Sequence, residues 1–176
     1  MKTAVIRVGA ALVLVGAMVS VSVAPASAYA FLGPKWGNSP VTVLQDGSNS
    51  AATRSAWRGG NSDFNSMTDI KLESAPGSVA MIYQRSVSSA NVTWDGITYP
   101  KVRSGKYQAS TNMYLNTRYT GSYTNAKRRG VAAHELGHGL GLDHVSGCHL
   151  MNGATPSRCG IYRPTADEIA GINKLY

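Results

Sequence analysis

Apolar and polar positions along the chain follow two rhythms. Pro40-Val41-Thr42-Val43-Leu44 is a short β-branched run and predicts a first strand. From Ala51 to Met67, Ala52, Ala56, Trp57, Phe64 and Met67 recur with helical character, and a helix is expected there. Gly59 and Gly60 oppose it, since each interior glycine costs about 1 kcal/mol relative to alanine. Ile70–Glu73 and Ser78–Arg85 alternate or run apolar as strands do, Trp94-Asp95-Gly96 marks a turn, and Thr111–Asn116 reads as another strand. A second long helix is expected over about Thr124–Leu140. After Pro164, Thr165-Ala166-Asp167-Glu168 has the T-x-x-E form of a capping box, with Ile169, Ile172 and Leu175 at helical spacing behind it. Strands early and helices late describe an α+β domain built on one mostly open sheet.

One apolar stretch falls outside that domain. Lys2 and Arg7 precede the run from Val8 to Val23, and Ala26-Ser27-Ala28 has the A-x-A form of a signal-peptidase site. Ala28-Tyr29-Ala30 is a second such site, so cleavage is expected after Ala28 or Ala30. A run of about 16 residues is short of the roughly 20 that span a bilayer. Residues 1–28 are therefore read as a secretory signal, and 29–176 as a single domain with no membrane association after signal removal. At 176 residues and 43% apolar content the chain is long enough to bury a core, and no repeat or composition break marks a second domain.

The chemistry is concentrated in His134-Glu135-Leu136-Gly137-His138-Gly139-Leu140-Gly141-Leu142-Asp143-His144, which has the form H-E-x-x-H-x-x-G-x-x-H. At about 100° per residue, helical positions i and i+4 are about 40° apart, so His134 and His138 can reach one metal ion from one face. Glu135 projects from the neighbouring edge, placed to deprotonate a water rather than to ligate. Gly141 stands where the helix must stop, because glycine takes the left-handed conformation without a Cβ penalty. The turned chain then delivers His144 as a third ligand. Three neutral imidazoles suit one catalytic Zn2+ with a fourth position open, whereas structural sites close all four with protein ligands.

Secretion frames the reading of the cysteines, Cys148 and Cys159. In an oxidising compartment they form a disulfide over a short loop, which stabilises by about 3 kcal/mol in the chain-entropy model. The rival reading, thiolate ligands to zinc, would close the site. Net charge is +8, or +6 without Lys2 and Arg7. The densest cluster, Lys127-Arg128-Arg129, is read as a solvated face, with contact to an acidic substrate or an anionic wall polymer as its functional alternative. The other cations are scattered and no nucleic-acid fold signature is present. Asn91-Val92-Thr93 is a glycosylation sequon that matters only in a eukaryotic secretory pathway.

The segment Val131–His144 resembles the active-site helix of metzincin metallopeptidases, and its Gly-Leu-Asp-His ending is most similar to the matrixin branch. Leu150-Met151, seven residues past His144, matches the Met-turn whose methionine floors the metal site in that family. The stretch from Pro164 to Tyr176 is similar to the matrixin C-terminal helix, and Gly33-Pro34-Lys35-Trp36 to the start of its catalytic domain. The resemblance is strong in the last third and matches Pro40–Asn116 in layout only. It implies a twisted, mostly parallel sheet with an antiparallel edge strand, a long active-site helix and a C-terminal helix. It also implies a substrate extended along an edge strand, expected within Lys101–Tyr119, with a hydrophobic side chain in the pocket under the Met-turn loop. Asp167 or Glu168, otherwise plain helix-start acids, would pair with the mature N-terminal amine.

Departures from the family pattern narrow the expectation. No cysteine precedes Cys148, so latency through a propeptide cysteine is not expected. His149 is the only histidine outside the motif and is read as a loop histidine; acids are few, so one zinc is expected, and Ca2+ is not supported by the sequence. The reading is a secreted, monomeric zinc endopeptidase with Glu135 as general base, whose partners are a protein or peptide substrate and a protein inhibitor. Its rivals are a zinc hydrolase of a non-peptide amide and a secreted binding protein for an anionic polymer with a structural zinc.

Overall fold

The computed structural model describes residues 29–37 and 39–176. The proposed signal segment lies outside the described residues. In chain order the elements are β1 (Ala30–Phe31), β2 (Val41–Gln45), α1 (Ala51–Met67), β3 (Leu72–Ser74), β4 (Ile82–Val87), β5 (Gly96–Tyr99), β6 (Val102–Arg103), β7 (Lys106–Tyr107) and β8 (Thr111–Asn116). There follow α2 (Thr117–Thr120), α3 (Asn125–Gly139), β9 (Leu142–Asp143), a 3-10 turn (Thr155–Arg158) and α4 (Ala166–Leu175).

The main sheet has the order β3-β2-β4-β8-β5. All pairings are parallel except β5 against β8, which is antiparallel and leaves β5 at the edge. This edge strand lies at Gly96–Tyr99, just upstream of the expected Lys101–Tyr119. The strand expected at Ser78–Arg85 begins at Ile82, where its pairing with β2 and β8 starts; Val79 before it is 73% exposed.

Helices α1 and α3 cover one face of the sheet. Ser50 caps α1 by accepting from Thr53 N, and the helix presents Ala56, Trp57 and Phe64 to the core. Ala52 is exposed and Met67 half-buried, contrary to their expected core roles. Gly60 is buried against α3, where an added Cβ would lie 3.3 Å from the backbone of Ala133. Close approach of two helices is what that glycine allows, and the packing offsets its propensity cost. Val131, Ala132 and Leu136 of α3 join Ile82, Met113 and Leu115 of β4 and β8 in the core.

The basic cluster at the head of α3 is structural, which corrects its reading as a solvated face. Arg128 is 7% exposed and donates to the carbonyls of Thr120, Gly121 and Tyr123. Arg129 pairs through two nitrogens with the buried carboxylate of Asp63 on α1, to which Arg163 Nε also donates at 2.7 Å. Lys127 lies over the Tyr123 ring, 3.8 Å from its centroid. A buried carboxylate is tolerated only when its lone pairs are met, and two guanidinium groups meet them here.

At its other end α3 stops by design. The last carbonyls of a helix have no intrahelical partner. Here Tyr107 Oη donates to His138 O at 2.7 Å, Trp36 Nε1 to Gly139 O at 2.8 Å, and Tyr176 Oη to Leu140 O at 3.0 Å. Gly141 then turns the chain at φ +108°, a region that favours glycine. No helix among the described residues is long and apolar enough to cross a membrane.

Candidate active site

The three motif histidines converge. His134 and His138 project from α3, and His144 follows β9, which is held by antiparallel pairing of Leu142 with Phe31. Their Nε2 atoms lie 3.0–3.2 Å from one another. The tautomers follow from the partners of the other ring nitrogens. His134 Nδ1 contacts Leu150 O and His138 Nδ1 contacts Leu142 O, each at 2.8 Å. A carbonyl can only accept, so both Nδ1 atoms carry the proton and both Nε2 atoms present bare lone pairs. Burial lowers the pKa of His134 well below the usual 6.5 and that of His138 to about 4, and lowers that of His144, so all three are neutral near pH 7.

This donor set fits zinc. Ligand atoms at about 2.0–2.1 Å in a tetrahedron stand about 3.3 Å apart, close to the separations found. Among the described residues no other set of histidine, cysteine or acidic side chains gathers in this way.

Glu135 lies next to this cluster and is 3% exposed. Thr98 on the edge strand holds it, with Oγ1 lying 2.8 Å from Glu135 Oε2 and 2.9 Å from Glu135 O. Burial raises the pKa of Glu135 to about 8; Thr98 and Arg158 favour the ionised form and moderate the rise, while Asp95 adds to it. Gly96, at the start of the same strand, makes room: a Cβ there would lie 2.6 Å from Glu135 Oε1.

The loop after His144 supports the site from below. Met151 is 1% exposed, and its sulfur lies where a Cβ on Gly137 would point, so it packs against α3 at that glycine. Its position is fixed through the backbone: Val145 N donates to Met151 O at 3.1 Å, and Met151 N donates to Glu168 Oε1 at 3.1 Å. Glu168 also completes the capping box of α4 by accepting from Thr165, so one buried carboxylate ties the last helix to the Met-turn. That tie is the role found for Glu168, beyond the helix-start reading. Cys148 and Cys159 form the expected disulfide across this loop, and His149 is a loop histidine, its Nδ1 4.0 Å from Glu168 Oε1.

A cleft of about 710 Å³ runs over these groups, lined by Thr93–Thr98, Tyr119, Tyr123, the three histidines, Glu135 and Gly153–Pro156 with Arg158. Sequence reasoning reached the histidines, Glu135, Met151 and the cysteines, and missed Thr98, Gly96, Tyr123 and Arg158. The W-D-G turn before Gly96 was the available signal for a hairpin-like entry into an edge strand.

A mostly parallel sheet backed by a helix that carries convergent histidines and a buried glutamate defines a metallohydrolase-type domain. The family model described as Matrixin matches residues 53–176, well over half of the chain, and the chain belongs to the matrixin family of zinc metallopeptidases. Among solved structures it is similar to high choriolytic enzyme 1, a hatching-enzyme zinc-protease from Oryzias latipes (medaka fish). That match has 18% identity and a TM-score of 0.41, and covers 62% of this chain and 50% of the other. No curated protein matches the chain.

The shifted groups give the metal-free protein a defined pH profile. Well above pH 6.5 the three motif imidazoles are neutral whether folded or not, so Glu135 decides: unfolded it is ionised above about 4.5, folded it keeps its proton to about 8. The native state then binds more protons, and stability falls as pH rises. Below 6.5 the unfolded imidazoles take protons that buried His134 and His138 refuse, and stability falls as pH drops. Thermal unfolding in chelator is expected to show a maximum near pH 6.5, with Glu135→Gln removing the loss on the alkaline side only. An unfolding temperature that stays level in the wild type from pH 6.5 to 8 would count against a buried, protonated Glu135.

Proposed function

We propose that the protein is a secreted zinc-dependent endopeptidase in which Glu135 is the general base. The observation that carries this reading is a buried carboxylate held by Thr98 beside three convergent Nε2 atoms in an open cleft. A zinc site that served the fold alone would need neither the base nor the opening.

His134, His138 and His144 would hold the ion, which supplies Lewis acidity and makes water a nucleophile near neutral pH. The rest is the work of the chain. Glu135 accepts the proton of the attacking water and returns it to the leaving amine, so one carboxyl serves first as base and then as acid. Thr98 orients that carboxyl through Oε2, which leaves Oε1 for the water. No covalent acyl-enzyme forms. The free edge of β5 offers backbone groups to an extended peptide laid beside it. Met151 packs under the site and touches no substrate.

Secretion and processing belong to the same proposal. Cleavage after Ala28 is favoured over cleavage after Ala30, because Tyr29 and Ala30 are built into the fold. The Tyr29 ring lies tilted against that of Phe31, centroids 5.2 Å apart, and Tyr29 packs over Gly171 where an added Cβ would be 3.0 Å away. Ala30 pairs with Asp143, one residue from His144.

Purified mature chain is expected to cleave casein, to stop in chelator and to resume with zinc. Glu135→Ala should lower the rate by at least about 10³-fold while the protein stays folded. A folded, zinc-loaded wild type that leaves casein intact would favour the non-peptide amide or polymer-binding alternatives. The mass of the protein recovered from a secreting host should correspond to Tyr29 as first residue; a mass starting at Phe31 would reject the Ala28 site.

A further inference from the structure

The cleft contains a cation that has entered so far only through its field on Glu135. Arg158 ends the 3-10 turn after the Met-turn and is 2% exposed. Its Nε donates to Asn152 O at 2.9 Å, yet Nη1 is buried without a hydrogen-bond partner. Among the described residues Arg158 makes no ion pair; Asp95 and Glu135 of the same cleft favour its charged form without pairing with it, and Asp95 is engaged by Tyr123 Oη at 3.1 Å. Thr155 Oγ1, in the same short turn and 8% exposed as a residue, is a second buried polar atom without a partner. Both side chains line the cleft together with His134 and Glu135.

A guanidinium does not shed its proton in a protein, so burial leaves a charged donor in need of an acceptor. An apolar ligand group would leave both Nη1 and Thr155 Oγ1 unanswered, and a cationic one would be repelled. A carboxylate meets the planar donor fork with charge-assisted bonds and can take the hydroxyl proton as well. We infer that the pocket beneath the Met-turn loop selects a carboxylate, with Arg158 as the specificity-determining residue and Thr155 as a second donor. This rests on the endopeptidase reading and replaces the hydrophobic side chain that the family resemblance implied for this pocket. The carboxylate has two sources: an Asp or Glu side chain next to the scissile bond, or the free C-terminus of a short peptide.

The test is a series of internally quenched peptides that differ only in the residue following the scissile bond, Glu, Asp, Gln, Asn, Leu or Lys, each with free and amidated C-termini. With zinc-loaded mature chain, Glu or Asp is expected to exceed Gln or Asn by at least about tenfold in kcat/KM, with Lys poorest. A preference that follows the free terminus rather than the side chain assigns the pocket to a terminal carboxylate. Arg158→Gln should level the acid-to-amide ratio and Arg158→Lys keep part of it; the ratio is read within each variant, so slower turnover does not obscure it. The wild-type series decides alone if neither variant folds. Equal rates for Glu and Gln with both kinds of terminus, or Leu first, would overturn the inference and leave Arg158 a positioning residue for Asn152. Failure to cleave any peptide or casein would instead bring down the endopeptidase reading, and the inference with it.

Discussion

Three imidazole Nε2 atoms crowd one point, and the structure depends on the bonds that keep them there. The carbonyls of Leu150 and Leu142 hold the Nδ1 protons of His134 and His138, which forces both Nε2 atoms to face inward unprotonated. Both carbonyls belong to chain beyond the helix, so the site exists only if α3 stops on time and the chain returns beneath it. Gly141, the aromatic donors at the helix end and the pairing of β1 with β9 serve that return. A divalent cation held by His134, His138 and His144 would draw these nitrogens together and would couple metal binding to the stability of the loop.

The same segment carries the second constraint. Glu168 closes its own helix cap and fixes Met151 N, the disulfide spans the loop on either side of that residue, and Arg158 bonds Asn152 O. The floor of the site, the wall of the pocket and the C-terminal helix are therefore one mechanical unit. Within it Arg158, fully buried and with an unbonded Nη1, lines the cleft.

Much of this was legible in the sequence where local signals and tertiary structure agree. Helix α1 and strand β8 occupy the expected residues, because a capping serine and an apolar stripe, or an alternation that breaks only at Asn116, suffice to set them. The ligand set was legible because i, i+4 spacing and a stop glycine are local geometry. What was not legible depends on distant partners. Strand β5 is four residues long and half-buried, and becomes a strand only by pairing with β8. Thr98 carries no local mark of its role; it matters because Glu135 lies across from it, 37 positions along the chain. Arg129 reads as a surface cation until Asp63, 66 positions away, is seen to be buried against it. Arg158, between a proline-serine pair and a cysteine, has the local look of a solvent-facing loop residue and is among the most buried side chains of the molecule.

The claim on which all else rests is that the three histidines form one zinc site. Zinc content and affinity, measured by competition with a chromogenic chelator on the purified mature chain, test it most directly. The account predicts one tightly held zinc per chain, retained by Glu135→Ala and lost or weakened by at least about 10²-fold on replacing His138 with alanine. A chain that binds no zinc while folded, or that holds it equally well without His138, would contradict the account.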